Sequence, residues 1–136
     1  MTRVGKCQCE ALTITCEGEP QFVAQCHCHA CQRRTGSIFA VIGYFPSDSA
    51  SLQGSASEYV RIGDGGSKVT HYFCSNCGTT VSYEAPEVLP GLTAVDVGCF
   101  NDTSFPKPTM SAYGKRRHHW IEPIKGAANF EGQPDL

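Results

Sequence analysis

Cysteine spacing constrains this chain more than any other feature. Nine cysteines stand at positions 7, 9, 16, 26, 28, 31, 74, 77 and 99. Seven of them form tight groups: Cys7-x-Cys9, Cys26-x-Cys28-x-x-Cys31 and Cys74-x-x-Cys77. Groups of this kind, far apart in sequence, are how a chain builds thiolate metal sites. Two cysteines three apart on a tight turn aim both sulfurs at one point, and two at i and i+2 on a strand share a face. No haem motif and no ferredoxin run is present, which favours zinc over a redox metal. The alternative is a disulfide scaffold or a set of scattered buried thiols. An odd count leaves one thiol over in a closed disulfide set. The stretch from Met1 to Cys7 has no apolar run like that of a secretion signal, so the expected location is the reducing cytoplasm.

Seven grouped cysteines exceed one tetrahedral site and fall one short of two. The simplest partition closes one site with Cys7, Cys9, Cys74 and Cys77. The triplet Cys26, Cys28 and Cys31 is then left with a vacant position. Closed four-ligand sites are structural, whereas three protein ligands plus an exchangeable position is how catalytic zinc is held. A fourth ligand for the triplet could instead come from His27, His29, His71 or Cys99. An extended Cys26–Cys28 segment would turn His27 away from the ligand face.

The rest of the chain reads as strands and loops. Its 136 residues suit about one domain, and a net charge of −2 argues against nucleic-acid binding by bulk electrostatics. No apolar run is long enough to span a membrane. Leu12, Ile14 and Cys16 alternate onto one face, which makes Cys16 a small core residue. Ser37–Phe45 is β-branched and aromatic and reads as a strand buried on both faces. Glu58–Ile62 and Lys68–Phe73 flank a Gly63–Ser67 hairpin, and Thr79–Tyr83 leaves a Cys74–Cys77 turn whose Gly78 can take positive φ. Leu92–Phe100 reads as a further strand, with a short one near Met110–Tyr113 and some order around Phe130. No amphipathic helix stands out. Lys115–His119 reads as a solvated basic turn. Arg33 and Arg34 follow the triplet directly; they can offset the negative charge of three thiolates or hold an anionic ligand.

With the three groups aligned, the chain resembles the glutathione-dependent formaldehyde-activating enzyme family, which includes centromere protein V. The matching residues are Gly5–Cys9, the run Cys26–Ser37, Phe73–Thr79, Val97–Asp102 and Trp120. The chain departs from the family's habit at Glu10, where a glycine is common, and at Ser111–Tyr113, which lacks a histidine. The resemblance implies a mainly β, Mss4-like fold of antiparallel sheets folded around zinc sites, as one domain over 3–130. It implies two zinc ions per chain. The structural ion would sit on Cys7, Cys9, Cys74 and Cys77, and the second on Cys26, Cys28 and Cys31. The implied activity is a carbon–sulfur lyase joining a thiol such as glutathione to an aldehyde such as formaldehyde. Arg33 and Arg34 would contact the anionic thiol. The rival functions are a zinc-stabilised protein-binding module and a thiol or metal sensor.

Overall fold

A computed structural model describes residues 1–134 as a mainly β protein. Strands β1 (Thr2–Lys6), β2 (Thr13–Glu17) and β5 (Ala50–Gln53) form a three-stranded antiparallel sheet in the order β1-β2-β5. The larger sheet contains β3 (Phe22–Cys26), β4 (Ala40–Pro46), β6 (Ala56–Ile62), β7 (Lys68–Cys74), β8 (Thr80–Glu84), β9 (Leu92–Asp96), β10 (Met110–Ala112) and β11 (Ala128–Asn129). Its order is β11-β10-β3-β4-β9-β8-β7-β6. All its pairings are antiparallel except those of β10 with β3 and with β11, which are parallel. No helix among the described residues is long and apolar enough to cross a membrane.

The sheet's period of two sorts the core into two clusters, and each takes one group of cysteines. On β4, Ile42 and Tyr44 point to the cluster that holds Cys28 and Cys31, and Phe45 points to the one that holds Cys7 and Cys74. On β9, Ala94 and Val95 divide in the same way. The centre of the sheet is therefore buried on both faces, as the apolar run through β4 leads one to expect. Leu12, Ile14 and Cys16 bring the small sheet onto the second cluster, and Cys16 is fully buried there.

Three expectations need correction. The chain does form a helix, α1 (His29–Thr35), directly on the triplet. At seven residues it is too short to show an apolar stripe, and Cys31 is its one buried residue. Its end signals are a Cys28 N-cap and Gly36 at φ +71, a left-handed C-cap. The strand read over Leu92–Phe100 stops at Asp96; Val97–Phe100 is a 3-10 turn ended by Asn101 at φ +48. That turn carries Phe100 onto Phe45 and Phe105, with ring centroids 5.9 and 5.2 Å away. The basic run is docked rather than solvated. Gln32 of α1 donates to the Arg116 carbonyl at 3.3 Å and pairs its Oε1 with His118 at 3.1 Å, so the turn is fastened to the helix.

Candidate metal centres and the cavity beside one of them

The structure brings Cys7, Cys9, Cys74 and Cys77 together, and separately Cys26, Cys28 and Cys31, with the sulfurs of each group within 4.8 Å of one another. Two local turns build the first group. Glu10 N–H donates to the Cys7 carbonyl, and Gly78 N–H donates to the Cys74 carbonyl with Gly78 at φ +80. The Cys7–Cys9 and Cys9–Cys74 sulfur separations are 3.7 and 3.6 Å. A tetrahedron of sulfurs 2.3 Å from zinc has edges of about 3.8 Å, so the donor set fits that ion. Backbone N–H groups also point at the sulfurs: Leu12 at Cys7 (3.2 Å), and Asn76 and Cys77 at Cys74 (3.4 and 3.5 Å). Burial pushes the Cys7 thiol up, with the Leu12 N–H opposing.

The triplet is made where β3 runs into α1. Cys26 ends the strand, Cys28 caps the helix by accepting the Cys31 N–H at 3.3 Å, and Cys31 faces inward from the first turn. Hydrogen bonds from Cys26 and Cys31 pull the Cys28 thiol well down, while the same contacts push Cys26 far up. One thiol ionises at its neighbours' expense, and three thiolates need a cation among them. Among the described residues no fourth ligand joins the group. His27 is fully buried and turned to Gln25 Oε1 at 3.2 Å, as an extended Cys26–Cys28 segment requires. His71 takes the Arg61 Nε–H at 3.3 Å, and Cys99 lies with the other cluster. His29 is exposed at the start of α1.

The two arginines after the triplet separate. Arg33 is exposed and lies outside the cavity described below, because the helix rotates it well away from Cys31. Arg34, three residues on, shares Cys31's face. It forms a buried ion pair with Asp96 and sends Nη2 toward Cys31 Sγ at 4.0 Å. Burial works against its charge, but Asp96 and then Cys31 hold its pKa above the ordinary arginine value. Asp96 is pushed up by burial, with Arg34 opposing. Arg34 is thus placed to offset thiolate charge.

A cavity of about 380 Å³ opens on all three triplet cysteines. Its inner wall is apolar and aromatic, with Phe22, Tyr44, Val69, Tyr83, Leu89 and Met110, and Arg61, Asp64 and Arg116 stand around it. Tyr44 and Tyr83 sit on strands separated by β9, and both are in register with Ala94. The small Ala94 side chain lets the two phenols meet across it, their oxygens 3.0 Å apart. A larger hollow of about 1160 Å³ lies against Cys7, Arg34, Asp96 and Cys99 but touches no triplet cysteine. The smaller cavity is therefore the one with an open donor set. Sequence reading did not single out Arg61, Tyr44 or Tyr83. The alternation Tyr59-Val60-Arg61 puts Arg61 on the His71 side of β6, but nothing local says what lies beneath.

A mainly β protein with one four-cysteine cluster and one three-cysteine cluster at a cavity is a candidate two-metal protein of a zinc-fold class. Residues 2–116 match the model of the glutathione-dependent formaldehyde-activating enzyme family, and the chain belongs to that family. Relatives that carry the family's name include proteins from Fusarium vanettenii (26% identical, 79% of this chain, 59% of the relative) and Penicillium rubens (23%, 79% and 58%). The chain thus spans somewhat more than half the length of these relatives. A crystal structure of a Rhodobacter sphaeroides protein superposes with a TM-score of 0.54 at 19% identity, covering 74% of this chain and 90% of that one. It shares the fold.

Proposed function

We propose that the protein joins a thiol to an aldehyde, as a zinc-dependent carbon–sulfur lyase of the S-(hydroxymethyl)glutathione synthase type. In this reading residues 3–130 act as one domain holding two zinc ions. The observation that carries the proposal is the triplet of cysteines, without a fourth protein ligand, at a cavity large enough for a small-molecule adduct. Family membership and the names of the relatives support it.

Cys7, Cys9, Cys74 and Cys77 would hold the structural ion, and Cys26, Cys28 and Cys31 the second. Held by those three cysteines, a zinc ion would supply Lewis-acid chemistry that favours the thiolate form of an incoming thiol at neutral pH. The chain's own residues do the remaining work. Arg61 and Arg116 are placed to receive the carboxylates of an anionic thiol such as glutathione. Arg34 takes the charge-offsetting role, and Arg33 is left at the surface. In the condensation a sulfur–carbon bond forms. The carbonyl π pair moves to oxygen and takes a proton, and the thiol proton is lost to solvent. The test is exchange NMR on glutathione and formaldehyde with the zinc-loaded protein. Acceleration of adduct formation is expected, together with a weaker effect in Arg61→Gln that converges on wild type as salt rises. No acceleration with any thiol–aldehyde pair tried would reject the enzyme reading and favour a binding or sensing role.

A further inference from the structure

Two phenols that bond to each other have two O–H protons and use one between them. Tyr44 and Tyr83 are such a pair, and among the described residues neither hydroxyl has another recorded partner. Both residues line the cavity that opens on the triplet cysteines, which puts the spare O–H donor in that cavity's wall. The pair is held firmly. The Tyr44 ring stacks on Phe22 with centroids 4.4 Å apart, Arg34 lies over the Tyr83 ring at 5.5 Å, and His71 packs on Tyr83 at 5.3 Å. Burial raises both phenols above the ordinary tyrosine value, so they stay protonated and act as donors throughout the neutral range.

We propose that the Tyr44–Tyr83 hydroxyl pair donates the hydrogen bond that holds the oxygen of the thiol–carbonyl adduct. This rests on the reading of the site given above. When thiolate sulfur bonds to the carbonyl carbon, the π pair becomes an oxyanion. A preorganised donor stabilises that charge with no reorganisation at the moment of reaction. The oxygen then takes its proton, and the phenol that supplied the hydrogen bond is left as it began. In the reverse direction the same donor receives the adduct hydroxyl.

The experiment compares the double variant Tyr44→Phe, Tyr83→Phe with wild type, both zinc-loaded. It keeps both rings and removes both hydroxyls, so thiol binding should be unchanged while turnover falls roughly 10²-fold. A binding readout stands beside turnover. Thioacetate carries an oxygen on the carbon next to sulfur, as the adduct does, and ethanethiol does not. Calorimetry should show the preference for thioacetate over ethanethiol reduced about tenfold in the double variant, with ethanethiol affinity unaltered. An unchanged preference in the double variant would overturn the proposal, even if turnover fell through some other disturbance. If wild type accelerates no condensation, the lyase reading fails, yet the thioacetate comparison still decides whether the donor is there. Should the double variant fail to fold, the single variants Tyr44→Phe and Tyr83→Phe carry the comparison: each keeps one O–H but removes the partner that orients it, so the preference should fall in at least one of them, and no change in either would overturn the proposal.

Discussion

Glu10 holds a backbone conformation that most side chains avoid. Its φ is +67, in the turn that presents Cys7 and Cys9, at the position where the family commonly has glycine. Its ion pair with Lys6 is well exposed and adds little. Glu10→Gly should therefore relieve left-handed strain and raise stability by about 0.5–1 kcal/mol, net of the entropy glycine adds to the unfolded chain. Chemical denaturation of the metal-loaded protein measures this, and a loss of stability would contradict it. His71 makes a residue-level case in pH. It is buried, and burial first, then Arg34 and Arg61, lower its pKa from 6.5 to about 4. Among the described residues, the Arg61 Nε–H and the rings of Tyr59 and Tyr83 face it and no carboxylate touches it. Above pH 6.5 the imidazole is neutral in both states and costs nothing. Below that the unfolded chain takes up a proton the folded one refuses, so stability falls through the window 6.5 to 4. The contribution is on the order of 2–3 kcal/mol. His71→Gln should lose less on acidification than wild type. Metal release affects both proteins, so the difference between their curves isolates the histidine; parallel curves would exclude it.

At the level of elements, the link between α1 and β9 is a buried charge pair. Arg34 and Asp96 are about nine-tenths removed from solvent at their side chains, 10% and 14% exposed. Removing one partner strands the other, so Asp96→Asn should cost about 3 kcal/mol in thermal or denaturant unfolding. The double variant Arg34→Met, Asp96→Leu should be less destabilised than Asp96→Asn alone, because no guanidinium is then left buried without its carboxylate. Equal losses would mean that packing rather than charge matters there. This contact also shows where sequence reading reaches its limit. The two cysteine groups, the Gly78 turn, the Gly63–Ser67 hairpin and the doubly buried β4 follow from local spacing and alternation, and the structure has them. The Arg34–Asp96 pair, the Tyr44–Tyr83 pair over Ala94 and the reach of Arg61 to His71 depend on strand order and register. Those are set by long-range pairing that no local pattern specifies. The helix escaped for a different reason: seven residues hold too few turns to reveal a period.

Across the whole molecule, the two cysteine groups differ in what they tie together. Cys9 and Cys74 are 65 positions apart and their sulfurs approach to 3.6 Å, joining the turn after β1 in the small sheet to the end of β7 in the large one. A metal there closes a long loop and spans two sheets, so its binding energy is folding energy. Cys26, Cys28 and Cys31 lie within one strand-to-helix junction, and a metal on them constrains a segment the sheet and the α1 contacts already fix. Four thiolates in a closed shell should also retain an ion longer than three with an exchangeable position. Mild chelation should accordingly remove about one equivalent first, with circular dichroism unchanged, and a second only as the fold is lost. Cys74→Ser should lower the melting temperature steeply. Cys28→Ser should leave a folded protein short of one metal equivalent and without adduct chemistry, with the helix cap kept, because a serine hydroxyl is a preferred N-cap acceptor. Metal analysis and thermal melts on the two variants decide the matter: equal drops in melting temperature would show that the clusters do not divide into a structural and an exchangeable site.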